Sequence, residues 1–103
     1  MGLSIKTGQT VYEEVISIDN RNNVVVPTTF DFTLFKNGTE YTGVSISSSL
    51  VDNFRGVYSF QYTPILIGQY RLYVKNLTTD VIYNSNVVEV TSGSSHITVY
   101  TGE

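Results

Sequence analysis

The residues of this chain that could perform catalysis are few and far apart. His96 is the single histidine, so a serine nucleophile with a histidine base would require it. No Gly-x-Ser-x-Gly elbow presents a serine, and His96 follows a Ser/Gly spacer, where a solvent-facing strand position is its expected role. The chain contains no cysteine, which excludes thiolate catalysis and cysteine-ligated metals. We therefore expect neither an enzyme nor a cofactor.

Carboxylates offer two further candidates for chemistry. Glu13 and Glu14 are adjacent, but neighbours on a strand point to opposite faces, so they cannot form a local acid/base pair. Residues 19–23, Asp-Asn-Arg-Asn-Asn, place side-chain oxygens close together as a calcium loop does, yet with one carboxylate and a central arginine. An Asx turn is the favoured interpretation, with calcium as the alternative, and we predict no metal site.

Two segments match the acceptor pattern for N-glycosylation. They are Asn37-Gly-Thr39 and Asn76-Leu-Thr78. Each falls where a turn is predicted, and asparagine and threonine are common in turns, so the turn interpretation is favoured.

The composition predicts one all-β domain. The 103 residues suit a single domain, alanine is absent, and eight tyrosines contribute to an aromatic content of 13%. The formal charge of −3, without a basic cluster, argues against nucleic acid as a partner. No apolar run approaches the ~20 residues that a membrane-spanning helix requires, so no membrane partner is expected.

The chain is organised around a central stretch of alternating apolar residues. They recur with period two in two consecutive segments: Tyr58, Phe60 and Tyr62, then Tyr70, Leu72 and Val74. Because strand side chains alternate between faces, each segment predicts a half-buried strand. Pro64 ends the first strand and Gly68 begins the second, so the pattern predicts a hairpin with a tight turn.

Further strands are predicted on both sides of this stretch. Alternation in residues 30–35 followed by Asn37-Gly38 predicts a second hairpin, with its return strand over residues 39–46. Other strands are predicted at residues 3–5, 10–18 and 81–91, while residues 47–53 fit a loop, a helical turn or an edge strand. The predicted core consists of the six alternating residues of the central stretch and five further residues. The five are Phe30, Phe32, Leu34, Val88 and Val90.

The central stretch resembles the filamin-type immunoglobulin-like repeat. The matching frame is Gly56-x-Tyr58-x-Phe60-x-Tyr62-x-Pro64, then Gly68-x-Tyr70-x-Leu72-x-Val74. Gly68-x-Tyr70 also looks like the tyrosine corner of immunoglobulin-like folds, in which the hydroxyl binds an upstream backbone group. The resemblance implies an immunoglobulin-like β-sandwich of seven or eight antiparallel strands, used as a spacer or docking module.

The first half of the chain resembles small immunoglobulin-like modules of tailed-phage virions instead. The matching residues are Phe30-x-Phe32-x-Leu34-Phe-Lys-Asn-Gly38 and Tyr41-Thr-Gly43. This likeness implies a structural role without a cofactor in a phage (virus) particle, as a head decoration, neck or tail accessory protein that binds other virion subunits. The alternative is an adhesive or carbohydrate-binding domain of an extracellular or cell-surface protein, with a surface glycan as its ligand.

The surplus of apolar residues supplies candidates for a protein interface. If the core faces are as assigned, four aromatic side chains point away from the core: Phe35, Tyr73, Tyr83 and Tyr100. Tyrosine and phenylalanine are enriched at interface centres, although an ordinary exposed surface is the alternative.

The C-terminal residues add a second candidate for the interface. We expect residues 1–91 to form the sandwich and residues 92–103 to form a Ser/Gly hinge with a terminal strand or arm. The apolar residues of this arm are Ile97, Val99 and Tyr100. Such a strand completes its own sheet or adds to a neighbour's edge, and we predict that it acts in trans, on virion proteins or on a second copy.

Overall fold

The computed structural model describes residues 3–92, which form nine strands and no helix, and hence no helix that could cross a membrane. The strands are β1 (Leu3–Lys6), β2 (Val11–Ile16), β3 (Phe30–Lys36), β4 (Thr39–Glu40), β5 (Ser47–Asp52), β6 (Val57–Tyr62), β7 (Gly68–Asn76), β8 (Ile82–Asn84) and β9 (Val88–Thr91).

These strands form two sheets that pack face to face around one apolar core. The larger sheet has the order β1-β9-β7-β3-β4, with β8 also paired to β7, and the smaller has the order β2-β6-β5. Strands β8 and β9 both pair with β7: Tyr83 lies opposite Val74, and Val88 lies opposite Tyr70. Only the β1–β9 pair is parallel among the described strands. The prediction of an all-β domain is confirmed.

The central stretch is not a hairpin, and this prediction was wrong. Strand β6 belongs to the smaller sheet and β7 to the larger, so residues 63–67 cross from one sheet to the other. The two strands face each other across the core, where the ring centroids of Tyr62 and Tyr70 are 6.1 Å apart. Period-two alternation determines which face of a strand is buried. It does not determine whether the next strand pairs with it in the same sheet or lies across the core in the other sheet.

The predicted core residues form the centre of the domain. Nine of the eleven are buried, while Phe30 and Phe32 are half-buried and pack against that cluster. Phe30 contacts Tyr58 and Phe60 edge to face, with ring centroids 4.9 and 5.2 Å apart. Strand β2 adds Val11 and Val15 to the core. Edge-to-face packing suits the charge distribution of aromatic rings, so these contacts join the two sheets.

The predicted turn chemistry is confirmed at two places. Asn37 and Gly38 have φ angles of 53° and 84°, the left-handed values that a two-residue turn needs, and they join β3 to β4. The Oδ1 atom of Asp19 accepts hydrogen bonds from the N–H groups of Asn23 and Arg21, at 2.9 and 2.8 Å. These bonds lower the pKa of the Asp19 carboxyl and form the predicted Asx turn.

Two predicted strands are shorter than their apolar patterns indicate. The return strand of the Asn37-Gly38 hairpin covers only β4, because the following residues cross to the smaller sheet, where β5 is an edge strand. Residues 81–91 form two strands rather than one. Between them, Ser85 is buried, and its Oγ accepts a hydrogen bond from the N–H of Leu72 at 2.8 Å. This side-chain bond replaces a ladder bond and divides the strand.

Candidate protein interface

Two of the predicted interface residues lie on the outer face of the larger sheet. Phe35 is opposite Arg71, and Tyr73 is opposite Thr33. Both side chains are half-buried, and they alternate with core residues along β3 and β7. Their expected orientation away from the core is confirmed. Their role in an interface stays a prediction.

A shallow cavity of about 450 Å³ opens beside Phe35 on this face. Its lining consists of Phe35, Asn37, Gly38, Gln69, Tyr70, Arg71, Asn84 and Val87. The ring of Phe35 supplies an apolar surface, while the amide and guanidinium groups supply hydrogen-bond donors and acceptors. This combination suits a polar ligand that also presents an apolar face.

Tyr83 does not point away from the core, and this prediction was wrong. It lies opposite Val74 and packs against the core cluster. A single continuous strand would place Tyr83 and Val88 on opposite faces, because their positions differ by five, an odd number. The irregular segment around Ser85 shifts the alternation by one residue, so both side chains face inward.

The remaining predicted interface residues are Ile97, Val99 and Tyr100. They lie outside the described residues, so their role stays a prediction.

An apolar groove separates the edge of β2 from β8, and we call it the β2–β8 groove. Its volume is about 290 Å³, and its lining consists of Glu14, Val15, Ile16, Ile18, Phe30, Val74, Asn76, Val81, Ile82 and Tyr83. This groove was not predicted from the sequence. The sequence feature that could have indicated it is two pairs of adjacent apolar residues, Val15-Ile16 and Val81-Ile82. Because neighbouring strand residues point to opposite faces, each pair puts apolar groups on both faces of an edge segment.

A hydrogen bond between the sheets lies beside this groove. The hydroxyl of Tyr83 donates to Oε1 of Glu13 at 3.3 Å. Burial raises the pKa of the Glu13 carboxyl, and the bond from Tyr83 lowers it in part. Glu13 is half-buried on the core face of β2 while Glu14 is exposed on the other face, as predicted. The two carboxylates do not converge, so they cannot act as an acid/base pair.

A polar cluster lies at the other end of the groove. Asn76 is 3% exposed, and its Nδ2 donates to the Oγ of Ser17 at 3.0 Å. Its Oδ1 accepts hydrogen bonds from the N–H groups of Thr78 and Thr79, at 2.9 and 3.1 Å. The amide of Asn76 is therefore occupied in the fold, which supports the turn interpretation of Asn76-Leu-Thr78 over glycosylation.

Strand β2 presents an open edge along the groove. Among residues 3–92, β6 is the only strand paired with β2. The N–H of Ser17 donates to Gly56 on the β6 side, at 2.7 Å. Because backbone groups alternate along an antiparallel strand, those of Tyr12, Glu14 and Ile16 are directed to the open side. An open edge beside an apolar groove is the arrangement that accepts an additional strand.

The described residues offer no comparable site for metal chemistry. Within residues 3–92, no group of three or more histidine, cysteine, aspartate or glutamate side chains converges to hold a metal ion. Comparison with models of known protein families gives no match. Comparison with curated protein sequences gives no match either.

Proposed function

We propose that this chain is a non-enzymatic structural module that binds other protein subunits through its β2 edge. The observation that carries this proposal is the open edge of β2 beside the apolar β2–β8 groove. An added strand would bond to the outward groups of Tyr12, Glu14 and Ile16 while its alternate side chains fill the groove. Backbone hydrogen bonds would supply affinity, and the groove would supply specificity.

The immunoglobulin-like identity of the fold is part of this proposal. In constant-type immunoglobulin sandwiches, one sheet contains strands A, B, E and D and the other contains C, F and G. The order β2-β6-β5 corresponds to B-E-D, and the order β3-β7-β9 corresponds to C-F-G. The hydroxyl of Tyr70 donates to the carbonyl of Leu66 at 2.8 Å, as in a tyrosine corner. In this correspondence, strand A would lie beside β2, where the described residues place no strand.

The specific setting that we propose is a virion. Support comes from the resemblance of residues 30–43 to modules of tailed-phage particles. A particle component needs surfaces for its neighbours and no catalytic groups, which agrees with an edge suited to strand addition. Its partners would be other virion proteins or further copies of itself.

The cavity beside Phe35 supports a second candidate function, carbohydrate binding. Sugar rings have apolar faces and hydroxyl groups, and the cavity combines an aromatic ring with the amides of Asn37, Gln69 and Asn84. In this alternative the chain would be an adhesive domain of a surface protein, with a glycan as its ligand.

Substitution of Glu14 by proline distinguishes the two functions. Proline removes an N–H that is directed to the open side, so the β2–β6 pairing is retained while strand addition is blocked. Solution mass is measured by light scattering for the full chain and for Glu14→Pro, with circular dichroism to verify folding. Strand addition predicts an oligomer that Glu14→Pro dissociates.

Three outcomes contradict strand addition as the mode of self-assembly. They are a monomeric full chain, an oligomer that Glu14→Pro leaves intact, and a monomer whose melting temperature a sugar raises. In the last case, loss of the sugar effect in Phe35→Ala would locate binding in the cavity beside Phe35.

A further inference from the structure

We infer that the β2–β8 groove receives residues 96–101 of a second copy of this chain as an added strand. This inference rests on the proposed function and names the partner for the same edge. It depends on three features: which part of the sandwich edge is covered, the pattern of residues 96–101, and the point at which the chain leaves the sandwich.

The edge between the two sheets is covered over only part of its length. Strand β1 lies beside β9, and its half-buried Ile5 packs against the core there. Next along this edge, the Tyr83–Glu13 hydrogen bond joins the two sheets. Beyond that bond, the groove exposes Ile16 and Ile82 at 55% and 52%. One further strand beside β2 would complete the cover.

Residues 96–101 have the pattern that such a strand requires. In His96-Ile-Thr-Val-Tyr-Thr101, extended geometry puts Ile97, Val99 and Thr101 on one face. The opposite face carries His96, Thr98 and Tyr100. Ile97 and Val99 are β-branched, which favours strands. The Ile97 face would enter the groove, and the Tyr100 face would point to solvent.

The chain leaves the sandwich at the end opposite the groove, so its own arm cannot easily reach that groove. Strand β9 ends at Thr91, next to Val90, which lies opposite Gly68. The groove begins near Tyr83, which lies opposite Val74, six residues or about 20 Å further along β7. The six steps from Thr91 to Ile97 span at most about 22 Å when fully extended. Strand β9 runs away from the groove, so this stretch must first turn back, and β1 flanks β9 on the way. The groove of a second copy is not subject to this restriction.

Exchange between two copies closes the assembly. Each chain supplies one arm and one groove, so in two chains related by a two-fold axis each arm occupies the groove of the other chain. The Ser92-Gly-Ser-Ser95 segment supplies the flexible connection that such an exchange needs. We therefore expect the full chain to be a dimer.

The test uses full-length variants that disable the arm and the groove separately. The arm variant is Ile97→Asp with Val99→Asp, and the groove variant is Ile82→Asp at a half-exposed position. Its matched control is Ile65→Asp, which is 65% exposed on the crossover between sheets, at the other end of the sandwich. The arm control is Thr98→Asp, on the opposite face of the arm. Circular dichroism and the melting temperature verify folding, and Glu14→Pro provides a second variant of the groove edge.

Dimerisation is measured by light scattering over a dilution series. We expect the arm and groove variants to weaken dimerisation by at least about a hundredfold, because burying one isoleucine or valine favours binding by roughly that factor and each substitution occurs twice in the dimer. The two controls are expected to remain dimeric. An equimolar mixture of the two disabled variants should then form a 1:1 complex, because one chain retains an arm and the other retains a groove.

Each other outcome overturns the inference. A monomeric full chain excludes the exchange, and a mixture that stays monomeric shows that the arm of one chain does not bind the groove of another. An arm variant that dissociates while the groove variants do not places the arm elsewhere on the second copy. If Glu14→Pro dissociates the dimer and the arm variant leaves it intact, residues 96–101 are not the strand that enters the groove. The proposed function is retained in that case.

Discussion

Two tyrosines of the core differ in what their hydroxyl groups contact. Tyr70 donates its hydroxyl hydrogen to the carbonyl of Leu66 at 2.8 Å. The buried hydroxyl of Tyr62 has no hydrogen-bond partner among residues 3–92, and burial raises the pKa of Tyr62. An unpaired buried hydroxyl loses its bond to water without replacement, so the two side chains contribute differently to the free energy of unfolding.

Phenylalanine substitutions test this difference. Tyr70→Phe should lower the free energy of unfolding by about 1 kcal/mol, because a net favourable hydrogen bond is lost. Tyr62→Phe should leave it unchanged or raise it by up to about 1 kcal/mol, because the uncompensated hydroxyl is removed. Urea denaturation of both variants measures the two changes, and equal losses would show that the Tyr62 hydroxyl is paired in solution.

The Glu13 carboxyl makes stability depend on pH. Because its folded-state pKa is raised, the native state binds the proton more tightly than the unfolded chain does. The contribution of Glu13 to the free energy of unfolding therefore falls as pH rises from its ordinary pKa through the raised one. Glu13→Gln should stabilise the protein at pH 7 and have less effect at pH 4, since glutamine retains an acceptor for Tyr83.

The measurement for Glu13→Gln is the melting temperature at both pH values. Glu14→Gln, at the exposed neighbouring position, provides the matched control. A stabilisation by Glu13→Gln that is larger at pH 4 than at pH 7 would contradict the assignment.

At the level of the elements, one turn is restricted by close packing. Gly56 has a φ angle of +72°, and a Cβ atom there would lie 2.8 Å from Cγ1 of Val24 and 3.0 Å from the carbonyl oxygen of Ser17. Gly38 has a similar φ angle of +84°, with nothing within 4 Å of such a Cβ atom. The pair therefore separates the cost of left-handed geometry from the cost of a steric clash.

Alanine substitutions at these two glycines should have unequal effects. Gly38→Ala should lower the free energy of unfolding by about 1 kcal/mol, from backbone geometry alone. Gly56→Ala should lower it by about 2–4 kcal/mol, because the turn before β6 must also move away from Ser17. Equal losses in urea denaturation would indicate that the turn at Gly56 adapts freely.

The elements also show which features the sequence predicts. Alternation correctly identified the buried faces of β6 and β7, and Asn37-Gly38 correctly identified a hairpin, because both signals are local. The partner of each strand depends on contacts distant in sequence, so alternation alone did not predict the crossover between β6 and β7. The division of residues 81–91 depends on Ser85, whose hydrogen bond to Leu72 is likewise non-local.

The candidate site was less predictable than the fold. Phe35 and Tyr73 were identified as facing outward because they alternate with core residues. The β2–β8 groove is a property of two sheets, and neither Ile16 nor Ile82 signals it without the pairing of the strands. Tyr83 was misassigned for the same reason, since one interruption in a strand exchanges its two faces.

For the whole molecule, the buried apolar core of residues 3–92 runs from Val11 to Val90. A chain that ends at Ser92 should therefore fold, and its melting temperature should stay within about 4 °C of the full chain, when both are measured at concentrations where the full chain is monomeric. A difference of that size corresponds to about 1 kcal/mol for a domain of this length. A larger decrease in a thermal melt would show that residues 93–103 contribute to the fold of their own chain.

The parallel β1–β9 pair determines how the domain responds to tension. Leu3 lies opposite Val88 and Lys6 lies opposite Thr91, so a pull on Leu3 and an opposite pull on Thr91 act at the two ends of one ladder. The load then runs along the strands, and the hydrogen bonds between β1 and β9 bear it together in shear rather than one after another. A module anchored through both ends would thus hold its neighbours together under mechanical stress.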